Sequence, residues 1–481
     1  MGESIRNKAI YGVGWSAADN IASSGITFLI GLVLARLLSP SEFGILGMIT
    51  VFIAVSNSIV DSGFSNALIR KIDVKEVDYN TAFYFNLLFG VVFFLILFFC
   101  APVISRFFKE PVLIPVTRVM GSILIINAFA IVQRTLLVKD VNFKTQTKIS
   151  LIASVISGII GIGMAIGGLG VWSLVGQQIS RQLLNTIFLW AFSTWRPIRE
   201  FSIKSFKELF GFGSKLMLSG LIDTVYKNIY YLIIGKFYTA AQLGQYTRAE
   251  QFSTIFASNL TGVVQRVSFP VLSSIQNEQD RLEQAYRRII KITMLITFAL
   301  MLGLAAVAKP LILILIGEKW LPAVTFLQIV CFAEMLYPLH AINLNILQVK
   351  GRSDLFLKLE IIKKIIAIVP ICLGIFYGIE VMLLGSVFTS FVAFLLNSYY
   401  SSRLINYSTW AQIRDILPAF IISLVVATAM WGIALFNFSV WITLPLQCLL
   451  GIIMAFVIYE NLKLPEYLEL KEIVFSVLKR K

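Results

Sequence analysis

The feature that most constrains this chain is a set of long apolar runs that contain no charged residue. Residues 81–105, 416–436 and 439–459 hold no Asp, Glu, Lys or Arg. A helix needs about 20 apolar residues to cross the hydrocarbon core of a bilayer. The chain of 481 residues is 58% hydrophobic and only 14% charged, whereas soluble domains are about 25% charged. The sequence therefore predicts an all-α integral membrane protein and excludes a soluble globular enzyme.

The apolar runs also predict how many times the chain crosses the membrane. Residues 149–180 carry no charge but are too long for one span, and Gly167-Gly168-Leu169-Gly170 predicts a tight turn between two helices there. The same treatment of the other runs predicts about 14 transmembrane helices. Their approximate limits are 10–36, 42–68, 80–101, 114–137, 148–167, 171–193, 210–236, 242–270, 290–316, 322–347, 357–378, 381–402, 413–436 and 439–460.

The basic residues predict the orientation. Of the 41 Lys and Arg residues, 27 fall in segments on the same side as the N-terminus, among them an expected loop at 134–148, and 5 fall on the other side. Loops rich in Lys and Arg stay in the cytoplasm, so we expect both termini to be cytoplasmic. The net charge of +15 has the same explanation, and no nucleic-acid partner is expected. The short basic N-terminus precedes a permanent first span, not a signal peptide.

Three polar segments are amphipathic and too polar to span. They are residues 199–210, 278–291 and 466–480. Each could lie at the cytoplasmic membrane surface or be an ordinary solvated connector.

The sequence contains an internal match at a shift of 200 positions. Residues 32–44 align with residues 232–244, so that Gly44 corresponds to Gly244. Six spans separate the copies, which gives both the same orientation and predicts a parallel repeat about an axis along the membrane normal. The expected domains are two six-helix lobes, residues 1–198 and 199–404, followed by two extra helices and a cytoplasmic tail in 405–481. Two facing lobes imply a central cavity and alternating access.

Charged residues inside the expected spans are the candidate site. Each costs about 2.5–3.5 kcal/mol near the bilayer centre, unless it snorkels, pairs or faces a water-filled cavity. Helical spacing places several of them on common faces. The expected lining of the cavity is Arg248, Asp223, Lys227, Arg181, Arg266, Lys215, Asp61, Asp19 and Asn20. Such a mixed, mildly cationic lining suits an anionic head group, because Arg binds phosphate through two hydrogen bonds.

Simpler readings of these residues stay open. Arg266 and Lys215 lie near span ends and could snorkel, and Asp61 could lie at the cytoplasmic end of its span. The polar stripe of the first span could serve helix packing.

Other chemistries lack the residues that they need. His340 is the only histidine and the four cysteines lie far apart, so neither a metal site nor a cofactor is expected. No phosphate-binding loop and no catalytic set of residues are recognisable, so the chain is not expected to be an enzyme. Transport would depend on an ion gradient of protons or sodium, on the membrane potential or on the substrate gradient.

Several stretches resemble a known family. Residues 34–44 and 61–71 resemble the start of the bacterial polysaccharide exporters of the Wzx type. Residues 264–274, 318–322 and 347–354 resemble the branch that exports colanic acid and teichuronic acid. The resemblance extends from about residue 5 to 460 and separates this branch from general drug exporters.

The resemblance implies a fold and a function. It implies the fold of the multidrug/oligosaccharidyl-lipid/polysaccharide superfamily, with charged residues of helices 1, 2, 7 and 8 lining the cavity. It implies a flippase that moves an undecaprenyl-pyrophosphate-linked oligosaccharide across the bacterial inner membrane, where lipids surround the protein. An ion-coupled multidrug or metabolite antiporter of the same fold is the first alternative. A membrane glycosyltransferase or polymerase is the second, although the short external loops do not favour it.

Overall fold

Helices make up the regular structure of the part of the chain that the computed structural model describes, residues 22–479. This part contains no β-strand. Apart from two short 3₁₀ turns, its elements are α1 (Ala22–Leu37), α2 (Pro40–Asp61), α3 (Phe64–Arg70), α4 (Glu76–Phe108), α5 (Leu113–Met120), α6 (Ser122–Lys139), α7 (Phe143–Ile166), α8 (Val171–Phe192), α9 (Ile203–Phe237), α10 (Ala240–Ser274), α11 (Gln279–Leu315), α12 (Ala323–Glu334), α13 (Tyr337–Val349), α14 (Ser353–Ile366), α15 (Ile368–Tyr377), α16 (Ile379–Ile405), α17 (Thr409–Gly432), α18 (Val440–Leu462) and α19 (Pro465–Lys479).

The chain is a multi-pass membrane protein. Within residues 22–479, nine helical segments are long and apolar enough to cross a bilayer. They are Pro40–Arg70, Glu76–Phe108, Leu113–Lys139, Phe143–Ile166, Gln279–Leu315, Ala323–Val349, Ile379–Ile405, Thr409–Phe436 and Val440–Leu462. Helices also occupy the other expected positions, namely α1, α8, α9, α10 and the pair α14–α15. Composition and length alone do not identify these helices as spans. Helices α8, α9 and α10 contain too many polar residues, and α1, α14 and α15 are too short.

The turn expected in the long apolar run is present. Helix α7 ends at Ile166 and α8 begins at Val171. Between them, Gly168 and Gly170 have φ angles of 75° and 55°. A side chain would strain the backbone in this left-handed region, so the glycines define the turn.

The amphipathic segment 199–210 is not a separate helix. Helix α9 starts at Ile203 and continues through the expected boundary to Phe237. Leu209 is buried, and the Phe206 and Phe210 rings lie 6.2 and 6.3 Å from the ring of Phe64. Phe206, Leu209 and Phe210 of these first turns therefore pack against protein.

The chain divides into two compact units, Met1–Thr247 and Arg248–Lys481. In the first unit, α2 packs on α9, α4 on α6 and α7 on α8. In the second unit, α11 packs on α12 and α17, and α16 packs on α12 and α15. The core of the second unit contains Tyr286, Phe298, Phe394 and Tyr407. The boundary between the units falls inside α10.

The two turns that the sequence match aligns have the same helix cap. Before α2, the backbone N–H and hydroxyl of Ser39 donate to Glu42 at 2.6 and 2.9 Å. Before α10, the same groups of Thr239 donate to Gln242 at 3.1 and 3.0 Å. Each pair satisfies backbone donors that a helix start leaves without a partner. The residue types differ, but their geometry is the same at both turns.

Candidate functional site

A polar cavity of about 550 Å³ lies within the first unit. Helices α2, α3, α6 and α9 and the turn between α2 and α3 form its walls. Volumes of this size are typical of small-molecule sites, although most such sites are largely apolar. Here most of the lining is polar: Asn57, Ser58, Asp61, Ser65, Asn66, Asn127, Arg134 and Thr224. A polar cavity of this kind is unusual among helices that are apolar enough to span a membrane, and it marks the candidate site.

Helix α2 supplies the acidic group. Asn57 and Asp61 are four residues apart and therefore share a helix face. The helix ends directly after Asp61, where Ser62 and Gly63 adopt positive φ angles of 51° and 69°. The reversal brings Ser65 back to Asp61, and its hydroxyl donates to Oδ1 at 2.6 Å. This bond leaves the second carboxylate oxygen without a hydrogen bond from a described residue.

Three amide side chains form a relay beside this acid. Gln182 Nε2 on α8 donates to Asn127 Oδ1 at 2.9 Å, and Asn127 Nδ2 donates to Asn57 Oδ1 at 3.0 Å. Because Asn57 Oδ1 accepts this bond, its Nδ2 group is left to donate into the cavity. The relay therefore fixes which way the terminal amide faces.

Helix α6 supplies the basic group. Arg134 is half-buried and lines the cavity, where its guanidinium interacts electrostatically with Asp61. These are the two charged residues of the lining, so the cavity carries no net charge. The expectation that residues 134–148 form a loop is wrong at its start, because α6 continues to Lys139. Arg134 belongs to the membrane helix, and Asp61 offsets part of the cost of its burial.

Helix α9 closes the cavity with two larger apolar residues, Leu216 and Met217, and with two smaller ones. Gly220 and Thr224 line the wall. Nearer its start, Gly213 contacts Gly63 so closely that a Cβ on Gly63 would lie 2.3 Å from the Gly213 carbonyl oxygen. Because Gly63 also has a positive φ angle, no other residue type fits this position without strain. The pair of glycines thus sets the distance between α9 and the turn after α2.

Of the seven expected site residues that the structure describes, one, Asp61, lines this cavity. Lys215, Asp223 and Lys227 lie on α9 but are exposed outside the lining. Arg181 is half-buried on α8. Arg248 and Arg266 are half-buried in the second unit, where Arg248 Nη1 donates to Gln251. Asp19 and Asn20 lie outside the described residues.

Sequence reasoning missed Arg134 and Asn127. The two are seven residues apart, which is two helical turns, and both line the cavity. This spacing is the signal that could have found them, but Arg134 counts among the basic residues of the expected loop at 134–148, although the expected span 114–137 also contains it.

The second unit holds an acidic residue between helices. Ser253 Oγ on α10 donates to Glu334 Oε2 at the end of α12, at 2.6 Å. Ser253 is fully buried, and Glu250 interacts electrostatically with Glu334. An acidic side chain held inside a membrane span is a candidate for binding a proton or a cation.

Comparison with known proteins gives a family and a fold. The sequence profile of a family described as "Polysaccharide biosynthesis protein" matches residues 33–325. The teichuronic acid biosynthesis protein TuaB of Bacillus subtilis (strain 168) is 27% identical over 355 residues, which is 73% of each chain. The lipopolysaccharide biosynthesis protein WzxC of Escherichia coli (strain K12) is 25% identical over 378 residues, 77% of this chain and 76% of WzxC.

Solved structures with the same fold are known. The lipid II flippase MurJ in an inward closed conformation aligns with a TM-score of 0.74 at 15% identity, covering 94% of this chain and 100% of MurJ. An inward-facing multidrug resistance transporter of the MATE family aligns with a TM-score of 0.63 at 15% identity, covering 80% of this chain and 96% of that one. At 15% sequence identity, these alignments show that the chain shares the fold of these two proteins.

Proposed function

This chain belongs to the polysaccharide biosynthesis protein family, and we propose that it is a flippase for lipid-linked oligosaccharides. In this proposal it moves undecaprenyl-pyrophosphate-linked repeat units across the bacterial inner membrane by alternating access. The relatives WzxC and TuaB, named for polysaccharide biosynthesis, support the substrate class. The observation that carries the proposal is the amide-rich cavity around Asp61 and Arg134, which has no net charge and is lined by helices that include the candidate membrane spans Pro40–Arg70 and Leu113–Lys139.

The chemistry of the cavity suits sugar hydroxyls. A hydroxyl both donates and accepts hydrogen bonds, and the lining offers the Asn57 amide as donor and the Asp61 carboxylate as acceptor. A diphosphate carries negative charge and would find no excess positive charge in this cavity. We therefore assign the glycan part of the substrate to it. Cations outside this cavity suit the diphosphate: exposed Lys215 and Lys227 and half-buried Arg181 in the first unit, and separately half-buried Arg248 and Arg266 in the second unit.

Alternating access requires two lobes, and we propose that 14 helices form them. Helices occupy all the expected positions, with the first described from Ala22. The matching caps at Ser39 and Thr239 support a parallel repeat, with lobes at 1–198 and 199–404 and two further helices after them. The bias of basic residues supports cytoplasmic termini. The charges on α9 and α10 fit helices that face a water-filled path.

A lipid-linked substrate also needs an apolar surface for its polyprenyl chain. The second unit has a pocket of about 410 Å³ between α10, α11, α17 and α18. Its lining is almost entirely apolar and includes Phe256, Leu300, Val426 and Ile452. A lining of this kind suits a part of a polyprenyl chain.

A deletion strain tests the proposal most directly. If the protein is the flippase, undecaprenyl-pyrophosphate-linked oligosaccharide accumulates on the cytoplasmic side and the surface polysaccharide is lost, and a plasmid copy of the gene restores both. Unchanged glycolipids together with altered sensitivity to cationic drugs would instead establish the antiporter, which has the same fold. Analysis of the accumulated lipid identifies the glycan.

A further inference from the structure

A second polar cavity, of about 460 Å³, lies in the second unit. The N-terminal halves of α11 and α17 and the start of α19 form its walls. Three basic residues line it, Arg287, Lys291 and Arg414, together with two acidic residues, Asp415 and Glu466. Neither the sugar nor the lipid chain of the proposed substrate is assigned to this cavity.

Two of the three cations are paired with the two acids. Arg287 Nη2 donates to Asp415 Oδ1 at 2.8 Å, and the Tyr407 hydroxyl donates to Oδ2 at 2.7 Å. Lys291 forms an ion pair with Glu466 on α19. The side chains of Asp415 and Glu466 are only 8% and 11% exposed. Both carboxylates are therefore engaged inside the wall of the pocket.

Arg414 is the remaining cation. It is exposed, and within the described part of the chain it makes no ion pair. The five charged residues of the lining thus leave one positive charge. A phosphodiester carries one negative charge, and the guanidinium of Arg binds phosphate oxygens through two parallel hydrogen bonds. Charge and geometry both suit a single phosphodiester.

The surroundings of the pocket identify the source of this phosphodiester. Leu295, Pro418, Ala419 and Leu464 give the pocket an apolar floor. Trp410 at its edge is 74% exposed, and exposed Trp side chains of membrane proteins concentrate at the level of the lipid head groups. An occupant with an anionic head and an apolar body matches this combination.

We propose that this pocket binds the head group of an anionic phospholipid at the cytoplasmic surface of the membrane. Basic pockets between membrane helices on the cytoplasmic side are suited to such head groups. The cytoplasmic position comes from the orientation in the proposed function, but binding of the lipid requires neither the flippase activity nor its substrate. A bound lipid would bridge α17 and α11. The ion pair between Lys291 and Glu466 already joins α11 to α19.

Native mass spectrometry of the purified full-length chain tests this proposal. Phosphatidylglycerol and phosphatidylcholine with the same acyl chains are each added to the detergent-solubilised protein. We expect one phosphatidylglycerol molecule retained per chain, in preference to phosphatidylcholine. Removal of one cationic side chain in Arg414→Gln should weaken this retention about fivefold. The matched control is Arg403→Gln, an exposed Arg that contacts Tyr399 and does not line the pocket; it should bind like the wild type.

Each other outcome has a definite meaning. Arg414→Lys keeps the charge and should keep most of the preference, which separates loss of binding from loss of folding. Equal retention of phosphatidylglycerol by Arg414→Gln and the wild type would overturn the site. A third result would replace the lipid with a free anion as the ligand of the pocket. In that case millimolar inorganic phosphate stabilises the wild type, and phosphatidylglycerol binds no better than phosphatidylcholine. Failure of the flippase test would leave all of these results unaffected.

Discussion

Gly44 and Gly244, which are 200 positions apart, each pack against the turn that carries the other. A Cβ on Gly44 would lie 1.7 Å from the carbonyl oxygen of Ala240, and one on Gly244 would lie 1.8 Å from that of Pro40. Pro40 and Ala240 are also 200 positions apart. When residue i contacts j′ and residue i′ contacts j, the two segments are related by a local two-fold axis. Helices α2 and α10 therefore cross at their first turns, at a distance that only glycine permits.

Gly44→Ala should destabilise the protein by forcing this crossing apart. Overpacking of a tight contact costs about 1–3 kcal/mol, and here the obstacle is backbone, which cannot rotate away. The melting temperature in detergent, followed by size-exclusion chromatography, measures the effect. Gly163→Ala is the control, because its new methyl group on α7 would meet nothing within 4 Å apart from its chain neighbours and the nearby backbone of its own helix. Ala also favours a helix over Gly by about 1 kcal/mol. Equal melting temperatures for the two variants would contradict the close crossing.

The electrostatic interaction between Asp61 and Arg134 predicts a rescue by double substitution. Asp61→Asn and Arg134→Gln each leave one partly buried charge without its partner, so each single variant should lose stability and export. The double variant has no net charge in the cavity again. Its loss of stability should be smaller than the sum of the two single losses by about 0.5–3 kcal/mol. Thermal melting and complementation of the deletion strain measure both. Arg199→Gln, at an exposed loop residue, is the control, and strictly additive losses would show that the two charges do not interact.

The amide relay predicts that Asn127→Asp impairs export without a large loss of stability. The new carboxylate keeps the shape and still accepts from Gln182, but it cannot donate to Asn57. The Asn57 amide then turns its Nδ2 group toward the new carboxylate and away from the cavity, so a sugar hydroxyl loses its donor. Such a hydrogen bond contributes about 0.5–1.5 kcal/mol. Export of the repeat unit at limiting expression measures the loss, and wild-type export would show that the relay does not orient the site.

The contact between Ser253 and Glu334 predicts a residue for ion coupling. Glu334→Gln keeps an acceptor for the Ser253 hydroxyl, which lies 2.6 Å from the carboxylate, but removes the charge that a proton or sodium ion would neutralise. Transport by this variant should no longer respond to an imposed proton or sodium gradient. Flipping assays in vesicles with and without each gradient measure the response. The control is Glu278→Gln at the start of α11, which removes an exposed acid that is paired with Arg281 and should leave the response to the gradient intact. An unchanged response in Glu334→Gln would exclude Glu334 from ion coupling.

Sequence patterns were most informative where local composition decides the structure. Apolar runs place the helices, because hydrocarbon tolerates few charges and every backbone group must be paired within its own segment. The glycines of 167–170 define a turn because only they adopt its φ angles without strain. The approximate start of the span expected at 210–236 differs from the structure, in which α9 begins at Ile203. A polar helix start does not end where the membrane begins if its apolar face packs on neighbouring helices.

The sequence by itself determined the class of protein, its helices and the family, and it singled out Asp61 as a candidate. Only the tertiary structure decided that Arg134 and Asn127 belong beside Asp61, while Lys215 and Lys227 do not line that cavity. Spacing along one helix shows which residues share a face. It does not show which face contacts a residue of opposite charge on another helix. Such contacts between helices determine whether a charge in the membrane is buried, exposed or part of a site.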